Sequence, residues 1–362
     1  MAKMDEMNIL GLDIGGANTK AALIVFKNSK IYKSFSYIEY FPFWEKSLSQ
    51  IPEMFKRIVF NIIEKNALIL EKIDFIAVTI TAELSDAFQT KREGILTILE
   101  ALKKVFHKDK LKFITSQNKF VDYTTAKSNY LSIVAANWSS TALFLGKFIP
   151  NCILIDAGST TIDIIPIFES LPVPKGKDDI SRLLNHELIY TGGLRATIPS
   201  ITHHVPYKNK NIRISFEKFA LISDVHRILN NISEEEYIND TPDNRSKSLE
   251  NCYARLSRVI CMDIETISKE DLKIIANYIY EKQLDIITRE MKLFMNNLIV
   301  RSKEFENNPK FVITGLSAEF LIRNSLQKLG YHNIVSYEEI TQIPNNINSS
   351  AFAVAGALYY RL

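Results

Sequence analysis

Apolar and polar positions along the chain follow two spacings, one typical of β-strands and one typical of amphipathic helices. Strand patterns are predicted at residues 8–26 (a hairpin), 30–41, 75–84, 111–117, 152–167 and at the start of 311–330, with a small β excursion at 203–216. Helical patterns are predicted at residues 51–62, 93–106, 124–148, 223–230, 255–265, 271–302 and 348–362. Alternation of the two kinds of element predicts an α/β layer architecture.

Two of the predicted strands are interrupted by a glycine-containing turn. The stretches are LGLDIGGANTKAALIVF (10–26) and CILIDAGSTTIDIIPI (152–167). When they are superimposed, Asp13 falls on Asp156, Gly15 on Gly158, Gly16 on Ser159 and Asn18 on Thr161. This weak repeat, roughly 140 residues apart, predicts two similar halves. An ordinary hairpin turn with glycine at positive φ is the alternative for each stretch alone.

Composition excludes several classes of partner. The chain has 362 residues, enough for two domains, and 44 Lys+Arg against 41 Asp+Glu give a formal net charge of +3. This balance gives no electrostatic reason to expect nucleic acid or an anionic membrane as a partner. Three isolated cysteines and no long apolar segment, at the N-terminus or later, predict a cytoplasmic protein without disulfides.

The paired motifs DIGGANTK and DAGSTTID, followed by VITGLSAEF, resemble those of the actin/Hsp70/sugar-kinase ATPase superfamily. The chain is more closely similar to the hydantoinase/oxoprolinase-like branch linked to tetrahydromethanopterin-dependent C1 transfer. The stretches that carry this resemblance are YFPFWEK, VTITAELSDAFQTKREG, AANWSSTA, LIDAGSTTIDIIPI, ELIYTGGLRATIP, ISDVHRIL, DTPDNRSK, RLSRVICMD and ITGLSAEFL.

The resemblance implies a two-lobed actin-like ATPase (ribonuclease H-like) fold with a cleft between the lobes. The first lobe is expected at 1–148, with 346–362 packing back on it. The second is expected at 149–345, with a mostly helical insertion at about 203–305. The two glycine turns are expected to grip one polyphosphate from both sides.

For function, the resemblance implies a transferase of methanofuran biosynthesis. The phenol oxygen of γ-glutamyltyramine attacks the methylene carbon of 5-(aminomethyl)-3-furanmethanol diphosphate and displaces pyrophosphate. The partners expected are these two small molecules, with a homodimer left open. The alternative is an ATP-dependent small-molecule kinase or lactam-hydrolase-type enzyme, because phosphate turns do not identify the group attached to the phosphate. A nucleotide-switched scaffold is a third reading, but no peptide-binding domain is evident.

The residues expected to bind phosphate lie in three turns. Asp13 and Asp156 are candidates for holding Mg²⁺, the expected cofactor, since Mg²⁺ prefers carboxylate and phosphate oxygens. Lys20 is a candidate cation, although a strand residue that points to solvent would look the same. The candidates for diphosphate contacts, through the backbone or side-chain donors, are Gly15, Gly16, Asn18, Thr19, Gly158, Ser159, Thr160, Thr161, Gly192 and Gly193.

A base is needed as well, because the phenol has a pKa of about 10. Glu83 is the first candidate and Asp86 the second, although a carboxylate after a strand is often a cap or loop residue. Lys91 and Arg92 are candidates for substrate contacts, or a solvated pair ahead of a helix.

Two further candidates for substrate binding are Arg245 and Gly315. In DTPDNRSK, Asn244 stands where glycine is usual in the family, which puts in doubt any backbone contact there that needs positive φ. Asparagine tolerates positive φ better than most residues do.

Overall fold

The computed structural model describes residues 6–28, 30–66, 68–343 and 349–362. The predicted segment 346–362 therefore falls partly outside the described residues. The strands are β1 (Glu6–Ile14), β2 (Asn18–Lys27), β3 (Lys30–Tyr40), β4 (Phe75–Ile80), β5 (Leu111–Ile114), β6 (Phe120–Asp122), β7 (Cys152–Ala157), β8 (Ile162–Phe168), β9 (Leu171–Pro172), β10 (Leu188–Ile189), β11 (His204–Tyr207), β12 (Lys210–Arg213), β13 (Phe311–Thr314) and β14 (Ile334–Ser336).

Helices connect the strands. They are α1 (Ile51–Ile62), α2 (Lys91–Val105), α3 (Tyr123–Ser128), α4 (Asn137–Leu145), α5 (Asp179–Leu184), α6 (Ile222–Ile228), α7 (Leu249–Arg258), α8 (Lys269–Arg301), α9 (Asn324–Lys328), α10 (Tyr337–Thr341) and α11 (Ser349–Tyr359). A π-helical segment, Ala318–Arg323, precedes α9. Within the described part of the chain, no helix has the length and apolar composition needed to cross a membrane.

The described residues divide into two compact units. The first contains residues up to 152 together with 165–182 and 337–362, and the second contains 153–164 and 183–336. The lobe boundaries expected from the sequence stay a prediction.

The first unit is built on a six-stranded sheet in the order β3-β2-β1-β4-β5-β6. β1 and β2 form the predicted antiparallel hairpin, and β4 runs parallel to β1. Alternate residues of β1 face opposite sides of the sheet. Leu10, Leu12 and Ile14 pack in the core that α1 and α2 share, whereas Gly11 and Asp13 face α11.

A second sheet has the order β10-β8-β7-β13-β14, with β9 beside β8. β13 is parallel to β7 and β14 is parallel to β13. The run β8-β7-β13-β14 therefore repeats the run β2-β1-β4-β5 of the first sheet, as the internal sequence repeat predicts. In the second unit, apolar residues of α6, α7 and the 33-residue α8 form a separate core with β11 and its neighbours.

Three predicted elements differ from the structure. The helix expected at 255–265 is α7, which begins at Leu249 and ends at Arg258, and Cys261 beyond it has a positive φ of 59°. The helix expected at 124–148 is two helices, α3 and α4, because Ala135 has a positive φ of 46° and interrupts any continuous helix. The strand expected at 75–84 ends at Ile80. The chain then enters turns in which the amide of Ser85 donates to the carbonyl of Ala82, and Glu83 therefore lies in a loop.

Candidate functional site

In the first glycine turn, residues 14–18, four of the five backbone carbonyls accept hydrogen bonds from amides of described residues. The amide of Gly15 donates to the carbonyl of Asn18 (3.1 Å). The carbonyls of Gly16, Ala17 and Ile14 accept from the amides of Phe43 (3.0 Å), Phe41 (2.9 Å) and Thr81 (2.8 Å), respectively. The amides of Gly16 and Ala17 have no acceptor among the described residues. Gly15 has the one carbonyl of the turn without a donor among the described residues, so the turn presents more free donors than acceptors, an arrangement that suits an anion.

The second glycine turn, residues 157–161, repeats this arrangement. The amide of Gly158 donates to the carbonyl of Thr161 (2.9 Å), the equivalent of the bond between Gly15 and Asn18. The amides of Ser159, Thr160 and Thr161 have no acceptor among the residues that the structure describes. The two turns thus share a hydrogen-bond pattern as well as a sequence pattern.

The segment 191–195 occupies the carbonyls of the second turn. The amide of Gly192 donates to Thr160 (2.9 Å), that of Gly193 to Gly158 (3.0 Å), and those of Leu194 and Arg195 to Ser159 (2.9 and 3.1 Å). A Cβ at position 192 would lie 2.6 Å from the carbonyl oxygen of Gly158, so only glycine allows this approach. The structure therefore brings together the predicted groups 158–161 and 192–193.

A hydroxyl residue that follows the neighbouring parallel strand supports each turn. The amide and hydroxyl of Thr81 both donate to the carbonyl of Ile14, at 2.8 and 3.4 Å. The amide and hydroxyl of Ser317 both donate to the carbonyl of Ala157, the residue equivalent to Ile14, at 3.1 and 3.0 Å. Sequence reasoning missed this pair, because the spacing after β4 differs from the spacing after β13.

Gly315 contacts the predicted aspartate of the second turn. Its φ is +93°, and a Cβ there would lie 2.8 Å from Oδ1 of Asp156 and 2.5 Å from the carbonyl oxygen of Ala157. Glycine is required by both the conformation and the space. Asp156 itself is half-buried.

Asp13 lies at the end of β1 and is 7% exposed. Its Oδ2 accepts a hydrogen bond from Oγ of Ser350 (2.5 Å), in the first turn of α11. Its Oδ1 has no hydrogen-bond partner within the described residues. A buried carboxylate oxygen left without a partner is costly, so Asp13 has the capacity to accept a ligand donor or contact a cation.

The neighbours of Asp13 across the sheet include a predicted cation. Lys20 stands directly opposite Asp13 in the β1–β2 register, so the two side chains emerge on one face. Lys20 is half-buried rather than fully exposed to solvent. Thr19 emerges on the other face, where its buried hydroxyl lies 3.5 Å from Sδ of Met54, and Asn18 is half-buried beside the turn.

The donor set fits Mg²⁺ in one specific way. No group of three or more His, Cys, Asp or Glu side chains that could hold a metal occurs among the described residues. Mg²⁺ is usually bound through one or two carboxylates together with phosphate oxygens and water. The free oxygen of Asp13 meets that requirement, and a metal cage made of protein alone does not form here.

Glu83 is a buried carboxyl group with an unsatisfied oxygen. It is 2% exposed, and its Oε2 has no hydrogen-bond partner among the described residues. Burial raises the pKa of Glu83 to about 7; Asp179 raises it further, while the backbone amide of Glu83 and the charge of Lys91 oppose the rise. Gly94 of α2 packs against this loop so closely that a Cβ would lie 2.9 Å from Cα of Glu83. Such a group titrates where a general base is most effective.

The other predicted substrate residues are more exposed. Asp86 is exposed, whereas Lys91 is half-buried at the start of α2, near Glu83. The guanidinium of exposed Arg92 lies 5.9 Å from the ring centre of Tyr130, and the side chain of Arg245 is exposed. Asn244 has a φ of +55°, so the asparagine adopts the left-handed conformation that the family glycine would provide.

Residues 74–358 of the chain match the family model described as hydantoinase/oxoprolinase. The chain belongs to the hydantoinase/oxoprolinase family. This membership confirms the family resemblance found in the sequence.

Two relatives of this hydantoinase/oxoprolinase family protein carry the same name, (4-{4-[2-(γ-L-glutamylamino)ethyl]phenoxymethyl}furan-2-yl)methanamine synthase. The protein from Methanocaldococcus jannaschii is 38% identical over 358 residues, which cover 99% of each chain. The protein from Methanococcus vannielii is 35% identical over 191 residues, which cover 52% of this chain and 82% of the relative.

A solved structure of acetone carboxylase in its nucleotide-free form matches 97% of this chain and 70% of its own, with a TM-score of 0.54 and 13% identity. At that identity the likeness concerns the fold alone. The hydantoinase/oxoprolinase family protein has the α/β actin-like ATPase fold that its sequence predicts.

Proposed function

We propose that this protein is the transferase that joins 5-(aminomethyl)-3-furanmethanol diphosphate to γ-glutamyltyramine in methanofuran biosynthesis. The observation that carries the proposal is the 38% identity, over 99% of both chains, to the synthase of Methanocaldococcus jannaschii. In the reaction, the phenol oxygen forms a bond to the methylene carbon, the carbon–oxygen bond to the diphosphate breaks, and the phenol proton passes to a base.

The leaving diphosphate is stabilised by the two glycine turns. Each turn offers amides without acceptors, at Gly16 and Ala17 in one and at 159–161 in the other. Amides fixed in position before the reaction stabilise the charge that develops on the leaving group without reorganising. Gly15 and Gly158 close the turns, Thr160 and Thr161 add hydroxyls, and Lys20 adds a positive charge. Whether both turns bind the same diphosphate stays a prediction from the sequence.

Mg²⁺ would be held by Asp13, through its free Oδ1, and by Asp156. When bound, it supplies charge neutralisation at the diphosphate oxygens. The protein's own part is to present these carboxylates at the ends of two strands, next to the amide donors.

Glu83 is the proposed general base. Burial raises its pKa to about 7, so the carboxyl group titrates near neutral pH, and burial also keeps competing water away from the carboxylate. Lys91, Arg92 and Arg245 are the residues proposed for the carboxylate of the glutamyl group, because each presents a cation at or near the surface.

The test assays two reactions directly, the condensation of the two substrates and the hydrolysis of ATP. We expect the protein with Mg²⁺ and the two substrates to release pyrophosphate and form the aryl ether, measured by mass spectrometry, and to form no ADP from ATP. Asp13→Asn, which keeps the acceptor for Ser350 but loses the charge, is expected to lower ether formation at least about 10²-fold. Asp109→Asn is the control, since Asp109 is 72% exposed beside His107. ADP formation without ether formation would favour the ATP-dependent alternative.

A further inference from the structure

A series of three hydrogen-bonded polar side chains, two of them fully buried and one half-buried, connects the helical part of the second unit to the segment 191–193. Asn231, His226 and Gln283 form it, and none of them is among the residues proposed above to bind substrate. Nδ2 of Asn231 lies 3.1 Å from Nδ1 of His226, and Nε2 of His226 lies 3.0 Å from Oε1 of Gln283. Nε2 of Gln283 lies 3.1 Å from Oγ1 of Thr191 and 3.0 Å from the carbonyl oxygen of Gly192.

These hydrogen bonds run in one direction. The amide nitrogen of Asn231 is a donor, so Nδ1 of His226 accepts and the imidazole proton resides on Nε2. The imidazole then donates to Oε1 of Gln283, and this contact fixes the Gln283 amide so that its nitrogen faces Thr191 and Gly192. His226 is fully buried, and burial lowers its pKa to about 3, which keeps the ring neutral and its direction of donation constant.

The segment that Gln283 holds is the one that occupies the carbonyls of the second glycine turn. Gly192 lies so close to the turn that a Cβ would be 2.7 Å from the amide nitrogen of Thr160. Its own amide donates to the Thr160 carbonyl, and its carbonyl accepts from Gln283. The Gly192 carbonyl shares its peptide unit with the amide of Gly193, which donates to the carbonyl of Gly158. A rotation of this peptide unit would therefore disturb the turn whose amides are proposed to face the diphosphate.

We propose that Gln283 is a positioning residue that, through Gly192 and Thr191, holds the 158–161 turn in the orientation that binds phosphate. The proposal rests on the proposed function, because it takes this turn to be a diphosphate-binding element. His226 and Asn231 set the orientation of the Gln283 amide. No contact between Gln283 and substrate is required.

The test compares two substitutions at Gln283 with a control on the same helix. Gln283→Met keeps the side-chain length and removes both donated hydrogen bonds. Gln283→Glu keeps the shape but places an oxygen against the Gly192 carbonyl. Thr288→Val is the control, because Oγ1 of Thr288 is buried without a partner among the described residues. The probe is inorganic pyrophosphate with Mg²⁺, measured by calorimetry on the full chain, with thermal melting of each variant.

We expect both Gln283 variants to weaken pyrophosphate binding about 10-fold and to raise the KM for the furan diphosphate by a similar factor. Thr288→Val should bind pyrophosphate as the wild type does, and the KM for γ-glutamyltyramine should not change in any variant. Thr191→Ser retains the acceptor and should bind pyrophosphate as the wild type does. Thr191→Val should lower pyrophosphate affinity little further in a protein that already carries Gln283→Met.

Unchanged pyrophosphate affinity in Gln283→Met would overturn the inference, as would an equal loss in Thr288→Val. If Gln283→Met does not fold, the Gln283→Glu result decides by the same criterion. Failure of the proposed function looks different: the wild type would bind pyrophosphate but form no ether, and the dependence of that binding on Gln283 would still be measurable.

Discussion

The buried carboxyl of Glu83 links catalysis to stability through one protonation equilibrium. Its pKa lies at about 7 in the folded protein, whereas an ordinary glutamate in an unfolded chain titrates near 4.5. A general base must be deprotonated to act, so kcat should rise with pH. The same deprotonation places a charge in the protein interior, so the free energy of unfolding should fall with pH.

The catalytic consequence is tested with Glu83→Gln. We expect kcat to fall about 10²- to 10⁴-fold, because the amide cannot accept the phenol proton. In the wild type, kcat should rise as pH increases from 6 to 8, following deprotonation of Glu83; in the variant this rise should disappear. The control is Asp86→Asn in the same loop, and a loss in that variant alone would assign the base to Asp86 instead.

The structural consequence is that Glu83→Gln should stabilise the folded protein, by an amount that depends on pH. Between pH 4.5 and 7 the folded state holds the Glu83 proton more tightly than the unfolded state does, so the free energy of unfolding of the wild type decreases as pH rises through this window. Above pH 7 the full free-energy cost of burying the ionised Glu83 carboxylate, at most about 3 kcal/mol, destabilises the folded state. Glu83→Gln should therefore raise the melting temperature relative to wild type at pH 8 and change it little at pH 4. Equal melting curves at both pH values would show that Glu83 has an ordinary pKa.

At the scale of elements, the glycines of the proposed site are required for two different reasons. Gly192 is required by the packing of the folded protein, whereas Gly158 is required by the proposed ligand. Gly192 has backbone atoms of the second turn within 2.7 Å of a Cβ position. Among the described residues, a Cβ at position 158 would have one neighbour within 4 Å, the carbonyl oxygen of Thr161 at 3.7 Å, and the φ of Gly158 is outside the left-handed region. The folded chain alone therefore has room for alanine at 158.

We predict that Gly158→Ala lowers pyrophosphate affinity about 10-fold, because the methyl group would lie where the diphosphate approaches the amides. The same variant should change the free energy of unfolding by less than about 0.5 kcal/mol. Gly192→Ala should lower both properties, with a stability loss of about 1–3 kcal/mol from overpacking. Calorimetry with Mg²⁺ and pyrophosphate, together with denaturant unfolding, measures both. Wild-type affinity in Gly158→Ala would remove the second turn from the binding site.

Much of this element structure could be predicted from the sequence. The hairpins were predictable because apolar alternation and small turn residues are local signals, and the repeat placed Gly15 and Gly158 in equivalent positions that make the same hydrogen bond. The side-chain hydrogen bonds that hold the second turn and its neighbouring segment in place were not predictable. Ser317 lies 160 residues from the carbonyl it contacts, and Gln283 lies 91 residues from Gly192, in a helix where one buried glutamine has no distinctive spacing.

At the scale of the whole molecule, two units carry the same strand order and the same kind of turn, so the chain offers two turns for which phosphate binding is proposed. Amides that become hydrogen-bonded to a ligand exchange their hydrogen more slowly with solvent. The amides proposed to bind the ligand are those without an acceptor among the described residues, namely Gly16 and Ala17 in the first unit and residues 159–161 in the second. Exchange at these peptides reports separately on each unit.

We predict that Mg²⁺ with saturating pyrophosphate slows hydrogen exchange in peptides covering 13–20 and in peptides covering 156–161, each followed in a pyrophosphate titration. Equal midpoints are required if one diphosphate is bound by both turns, because a single binding event then protects both. The β11–β12 hairpin, in which no candidate residue lies, is the internal control and should exchange as in the free protein. Gly158→Ala should shift the midpoint of the peptides covering 156–161. Protection of one turn only, or two different midpoints, would contradict shared binding while leaving each turn's donors as described.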